Sequence, residues 1–184
     1  MGLFDDIKKK ANEVLQKAGN KTENVVFQKL PETLDEFKAL PQAALSTPFD
    51  TAALTVLALC FYPKDKDLSL AMLDFLGGPR PLSNMDKQFI ADRFSDGKYY
   101  IPMSYFAGAT PNNDYTPSEP YTVVVKDNPY SYNDAGYAVM WLTSGGADSP
   151  RQVKLRQAKD GKWYLWEQFL LPDIRKPESS NPWA

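Results

Sequence analysis

The first half of the chain carries apolar residues at intervals of three and four, the period of an amphipathic helix. The pattern begins with a predicted helix over Gly2–Ala18, followed by a polar linker over Asn20–Asn24. Three arrangements are open for this helix: docking on its own domain or on a second copy, a free tail, or contact with a membrane surface. Acidic residues dilute its lysines, so we do not expect membrane contact.

Capping residues divide the next part of the chain into short helices. Thr33 with Glu36 forms a predicted capping box, and Thr47-Pro48 combines a capping hydroxyl with proline at the first helical position. The helix over Ala52–Tyr62 is apolar on nearly all sides, which predicts a place at the centre of the domain. Further helices are predicted over Asp67–Leu76 and after Ser83.

The segment Tyr99–Pro120 breaks this pattern. It is rich in proline, glycine, asparagine and tyrosine, which predicts a long irregular excursion rather than a helix. Irregular segments longer than about 12–15 residues are usually functional or disordered. The excursion is therefore a candidate for a functional region.

The rest of the chain predicts an antiparallel meander, preceded by a short strand at Val25–Phe27. Four strands rich in β-branched and aromatic residues alternate with turn residues: Tyr121–Lys126, Tyr137–Thr143, Gln152–Ala158 and Lys162–Leu170. The last strand is apolar on both faces, so we expect it to be central or covered on both sides. Helices followed by strands predict an α+β fold, with helices packed on a curved antiparallel sheet.

Length and composition limit the organisation of the chain. Its 184 residues suit one domain with loose ends. We predict an amphipathic helix and linker over residues 1–24, a single α+β domain over 25–177 and a C-terminal tail over 178–184. The net charge of −2 argues against nucleic-acid binding, and no apolar signal region follows the N-terminal charges, so the cytoplasm is the expected location.

The chain has no histidine and one cysteine. Imidazole-dependent catalysis, histidine-ligated metal sites and thiolate zinc sites are excluded on that count. Neither a cofactor nor a metal site is predicted. An enzyme built on this chain would have to use carboxylates, lysine, tyrosine or arginine.

Several segments resemble a family of small bacterial proteins that is catalogued as a domain of unknown function. The resemblance covers about residues 25–184, and it rests on Phe27–Leu45, Gly77–Ser83, Ser104–Pro111, Ala147–Arg156 and Trp163–Pro177. It implies no activity. The ending, with a Trp-rich strand followed by Leu-Pro-Asp, is also similar to the last hairpin of cystatin-like and SnoaL-like cone folds, which implies helices packed in a curved sheet around a pocket.

Three sets of residues are candidates for a site. Glu167 lies among aromatic residues, where a carboxylate must be paired or have its pKa raised; it is either an acid or base, or the partner of an arginine. The aromatic residues Tyr99, Tyr105, Tyr115 and Trp166 offer flat faces with polar tips, in a groove or in the core. Arg80, Arg151 and Arg156 either converge on an anion or hold nearby carboxylates.

Two hypotheses follow. The first is a non-enzymatic binding or interaction protein that uses an aromatic surface or pocket, with a homodimer or protein partner recruited through the N-terminal helix. The alternative is a small histidine-independent enzyme with a pocket in the cone, in which Glu167 or a tyrosine acts as acid or base. The first is favoured because the chain lacks histidine and carries an amphipathic helix that needs a partner.

Overall fold

A computed structural model describes residues 2–7, 10 and 20–183. The fold is α+β, with helices and a five-stranded antiparallel sheet, as predicted. The strands are β1 (Thr22–Phe27), β2 (Tyr121–Lys126), β3 (Tyr137–Leu142), β4 (Arg151–Gln157) and β5 (Trp163–Gln168). They lie in the sheet in the order of the chain, so the meander is confirmed. The helices are α1 (Leu34–Lys38), α2 (Pro48–Cys60), α3 (Lys66–Gly77), α4 (Asn84–Arg93) and α5 (Tyr100–Met103).

Helix α2 lies at the centre of the domain, as its apolar sequence predicts. It packs across one face of the sheet and contacts all five strands, and nearly every one of its side chains is buried. Each fully buried leucine or valine contributes about 1.5–3 kcal/mol to folding. Its buried hydroxyls are satisfied: Thr51 donates to the carbonyl of Trp163 at 2.7 Å, and Thr55 donates to that of Thr51.

Local capping explains where the helices begin. The hydroxyls of Thr47 and Ser83 accept hydrogen bonds from the third helical amide, and Ser83 forms a reciprocal capping box with Asp86. At α1 the box is incomplete. Thr33 accepts from the amide of Glu36, but the Glu36 carboxylate accepts from the amide of Glu32 instead of from that of Thr33.

The N-terminal prediction is tested only in part. Residues 3–7 and 10 are helical, and the rest of the predicted helix over Gly2–Ala18 lies outside the described residues. The first strand begins at Thr22, so three residues predicted to lie in a linker belong to the sheet. These three residues pair with β2, since the pairing of the two strands continues from the apolar part of β1 as far as Thr22, which lies opposite Lys126.

The excursion over Tyr99–Pro120 is more ordered than the sequence suggests. It contains α5 and a 3-10 turn over Pro111–Asn113, and Phe106 forms a bridge with Val123 of β2. Tyr105 and Tyr115 are buried, and their hydroxyls donate to the carbonyls of Leu170 and Arg175. The glycines of the β3–β4 turn allow this packing: a Cβ on Gly145 would lie 1.9 Å from the carbonyl oxygen of Ala109.

The prediction that the last strand is central, or covered on both sides, is wrong. β5 is an edge strand. Leu165 is its one buried side chain, and Glu167 is exposed. The strand also contains a β-bulge, which the apolar run does not show. Leu155 pairs with Leu165 and Lys154 with Glu167, so Trp166 is the extra residue and Glu167 points away from the core. The free edge of β5 is covered by other groups: Trp163 donates its amide to the carbonyl of Leu45.

Candidate functional site

The bulge in β5 places Trp166 beside two arginines on the face of the sheet that points away from α2. The Arg80 guanidinium carbon lies 4.3 Å from the centroid of the Trp166 ring, and that of Arg156 lies 4.8 Å from it. Tyr137, which pairs with Arg156 across β3 and β4, meets Trp166 edge to face at 5.7 Å. Three residues, Arg80, Tyr137 and Arg156, are thus held against one indole ring.

The turn after α3 brings Arg80 to this position. Gly78 has a φ of +57°, and a Cβ there would lie 2.3 Å from a ring carbon of Tyr164. Because only glycine fits both the backbone and this approach, the turn can lie directly on the ring. Arg80 then donates from a terminal nitrogen to the carbonyl oxygen of Trp166 at 2.5 Å, which fixes one side of its guanidinium.

A pocket of about 510 Å³ opens beside this cluster, and we call it the arginine pocket. Its lining contains three cationic side chains, Arg80, Arg156 and Lys159, and no carboxylate. Among the described residues, neither arginine has a salt bridge to an acidic side chain. Because no carboxylate in the lining offsets these like charges, the arrangement favours an anion that the three groups share.

The nearby carboxylate of Asp160 already has hydrogen-bond partners of its own. Asp160 accepts a hydrogen bond from the hydroxyl of Tyr164 at 2.6 Å and from the amide of Lys162 at 2.9 Å. The hydrogen bond from Tyr164 lowers the pKa of Asp160, and in return it raises the pKa of Tyr164 to about 12. The pair keeps the Tyr164 ring under the turn that carries Arg80.

The structure brings together three of the residues that the sequence nominated for binding, Arg80, Arg156 and Trp166. Arg151 lies elsewhere and holds the C-terminal segment, since its guanidinium donates to the carbonyls of Ser149, Pro172 and Asp173. Tyr105 and Tyr115 lie in the core. Tyr99 is exposed, and its ring contacts that of Tyr100.

Glu167 is not enclosed as the sequence suggested. Its side chain is exposed, and it forms no ion pair with an arginine in the part of the chain that the structure describes. The reason is the bulge, which directs it to solvent opposite Lys154. Its role as an acid or base stays a prediction.

Lys159 is a pocket residue that sequence reasoning missed. It lies in the β4–β5 turn, just before Asp160-Gly161. The signal was present in the sequence, because a tight hairpin places the turn beside both Arg156 and Tyr164. The place of Arg80 in the pocket could not be inferred in this way, because it depends on a contact with Trp166, which lies 86 positions further along the chain.

The part of the chain that the structure describes has no cluster of three or more residues suited to hold a metal ion. Nor does any helix within it have the length and apolar character needed to cross a membrane.

Comparison with protein families matches residues 29–178 to a domain of unknown function, DUF6935. The chain belongs to this family. The match confirms the resemblance found in the sequence, and the arginine pocket lies within the matched DUF6935 domain. No curated protein and no solved structure matches the chain, so the similarity to cystatin-like cones stays a prediction.

Proposed function

We propose that this DUF6935 protein is a non-enzymatic binding protein that recognises an anionic group, a carboxylate or a phosphate, in the arginine pocket. The observation that carries the proposal is the pair of guanidiniums held on Trp166 without a carboxylate partner in the pocket. Guanidinium groups bind carboxylates and phosphates through parallel hydrogen bonds, and their planes stack on aromatic rings. Because the indole ring already orients two such groups, these side chains lose less conformational entropy when a ligand binds.

The three cations have different tasks in this proposal. Arg80 is tied to the backbone of Trp166, so it supplies a fixed donor at one wall. Arg156 has ring contacts to Trp166 and Tyr137 and leaves its nitrogens for a ligand. Lys159, on the hairpin turn, adds a mobile point charge, which suits an anion with several oxygens.

Protein-observed NMR tests the proposal with inorganic phosphate and with citrate as probes. The chain has four tryptophans, so the indole N–H resonance of Trp166 can be assigned by comparison with a Trp166→Phe variant. We expect this resonance to shift on titration of either probe at constant ionic strength. The Arg156→Gln variant should weaken the apparent affinity about tenfold or more, because it removes one hydrogen-bonded contact to a charged group of about 1.5–3 kcal/mol.

Arg93→Gln is the matched control. Arg93 also lies over an aromatic ring, that of Phe89 at 5.0 Å, but it does not line the arginine pocket. Its loss should leave the affinity unchanged. An unmoved Trp166 resonance, or equal affinities for wild type and Arg156→Gln, would contradict the proposal.

The alternative from the sequence is an enzyme that uses Glu167 as acid or base. The exposed position of Glu167 does not favour it, because such a role is typical of an enclosed carboxylate. The cytoplasmic location and the division into residues 1–24, 25–177 and 178–184 belong to this proposal as well.

A further inference from the structure

A second concavity adjoins the arginine pocket at Arg80. It lies between α4 and β5 and encloses about 220 Å³, and we call it the α4 groove. Gly77, Arg80, Leu165 and Trp166 line both concavities, so the two meet where Arg80 contacts Trp166. Sites for small molecules usually enclose about 300–1,000 Å³. The groove alone is smaller than this, so it suits one part of a ligand whose other part lies in the arginine pocket.

The walls of the α4 groove are mainly apolar. Leu82, Phe89 and Ile90 lie on the side of α4, and Leu165 and Phe169 lie on the side of β5. Phe89 is 38% exposed and Phe169 is 49% exposed, so neither ring is fully covered by its own domain. When an apolar group enters such a groove, both surfaces lose contact with water, which favours binding.

The charged groups of the α4 groove decide where the anion of a ligand can lie. Besides Arg80, two carboxylates line the groove, Asp86 and Glu167. Asp86 accepts hydrogen bonds from the amide and the hydroxyl of Ser83, and Glu167 is exposed. Both carboxylates repel a further negative charge, whereas the arginine pocket has three cations and no carboxylate. An anionic group is therefore disfavoured in the groove and favoured in the pocket, while an uncharged apolar group meets no such repulsion in the groove.

We propose that the ligand of this protein is an amphipathic anion. Its carboxylate or phosphate lies in the arginine pocket between Arg80, Arg156 and Lys159, and a short, uncharged apolar body joined to it lies in the α4 groove. The inference rests on the anion site proposed above and adds the second part of the ligand. Arg80 is common to the two parts, because it lines both concavities.

A series of carboxylates with the same head group tests the apolar part. Acetate, butyrate and hexanoate are titrated at constant ionic strength, and the indole N–H resonance of Trp166 reports binding. Each buried methylene strengthens binding about two- to fourfold, so the dissociation constant of hexanoate should be about tenfold or more below that of acetate. Hexylamine carries a similar chain on a cation and should bind about tenfold or more weakly than hexanoate, because the pocket repels its charge.

Substitutions separate the two parts of the ligand. Phe89→Ser, with Phe169→Ser as a second variant on the opposite wall, should leave the affinity for acetate unchanged and reduce the advantage of hexanoate about threefold or more. Met85→Ser is the matched control, because Met85 lies on the same helix, is 81% exposed and lines neither concavity; its affinities should equal those of the wild type. Arg156→Gln should weaken all three carboxylates by the same factor, because Arg156 lines the pocket alone. Circular dichroism checks that each variant is folded.

The outcomes distinguish this inference from the anion site on which it rests. If phosphate and citrate shift the Trp166 resonance but the three carboxylates bind equally well, the anion site stands and the apolar part is wrong. A preference for hexanoate that is unchanged in both Phe89→Ser and Phe169→Ser would also overturn the inference, as would hexylamine binding as tightly as hexanoate. If phosphate, citrate and all three carboxylates leave the resonance unmoved, the anion site itself fails, and this inference fails with it.

Discussion

Two regions of this protein are rich in aromatic residues, and they use them in opposite ways. In the excursion over Tyr99–Pro120, the buried rings of Tyr105 and Tyr115 turn their hydroxyls inward to backbone carbonyls. On the outer face of the sheet, Trp166 of β5 and Tyr137 of β3 stay partly exposed and hold cations against their rings. Aromatic content alone therefore does not separate a core from a binding surface; the partner of the ring or of its polar tip does.

The difference has a physical basis. A tyrosine hydroxyl that reaches a carbonyl inside the protein satisfies two polar groups at once, so the ring can be buried without a desolvation penalty. A guanidinium cannot be buried without an anion, so an aromatic ring that carries one remains at the surface. The first arrangement stabilises the fold, and the second leaves charge available for a ligand.

The largest effect is expected from a substitution in the β3–β4 turn, on which the excursion packs. Gly145→Ala would place a Cβ 1.9 Å from the carbonyl oxygen of Ala109, a backbone atom that cannot move alone. We expect a loss of about 2–3 kcal/mol in the free energy of unfolding, measured by urea denaturation. Gly77→Ala is the control, because no atom lies within 4 Å of its added Cβ, and its stability should be unchanged or slightly higher. Equal stabilities of the two variants would mean that the excursion does not pack on this turn.

A smaller effect is expected from the hydroxyl of Tyr105. Tyr105→Phe keeps the buried ring but leaves the carbonyl of Leu170 without its donor. The free energy of unfolding should fall by about 1–2 kcal/mol, the cost of an unsatisfied buried acceptor. Tyr130→Phe, at an exposed position, should have no measurable effect. A fully stable Tyr105→Phe variant would show that the buried tyrosines act through their rings alone.

The smallest effect concerns alkaline pH. Burial, with a further contribution from Tyr100, raises the pKa of Tyr115 from its usual 10 to about 12. The folded state therefore keeps this proton more tightly than the unfolded state does. The stability that Tyr115 contributes is complete below pH 10 and is lost as the pH rises to about 12. Absorbance titration of the phenolates should show a component near pH 12 that is smaller by one tyrosine in Tyr115→Phe, because the pKa of Tyr164 is also about 12. The unfolding free energy of this variant should also fall less steeply over this range.

Much of the fold could be read from local sequence. Strand limits follow from alternation and turn residues, so β2 begins and ends where predicted. The helix starts at Thr47 and Ser83 depend on hydroxyls that bond amides only three residues away. The central position of α2 follows from its lack of a polar face. These features are fixed by neighbours in the chain, which a sequence shows directly.

The parts that sequence reasoning missed depend on distant contacts. Whether Tyr105 points inward is decided by a carbonyl 65 residues away, and whether Arg80 reaches Trp166 is decided by the turn at Gly78. The outward direction of Glu167 was hidden by the bulge at Trp166, which changes the face of the sheet to which the residues after it point. Of the nominated residues, Arg80, Arg156 and Trp166 form one cluster, and nothing in the sequence separated them from Arg151, which holds the C-terminal segment.

The hydrogen bond from Arg80 to Trp166 has a counterpart at the opposite side of the sheet. There the Gln42 amide donates to the carbonyl oxygen of Val26 in β1 at 3.1 Å. Both outermost strands thus have a main-chain acceptor engaged by a side chain from the helical layer, and β5 also has its Trp163 amide engaged. An incoming extended polypeptide finds fewer free groups at either border, so the sheet resists growth into fibrils by strand addition.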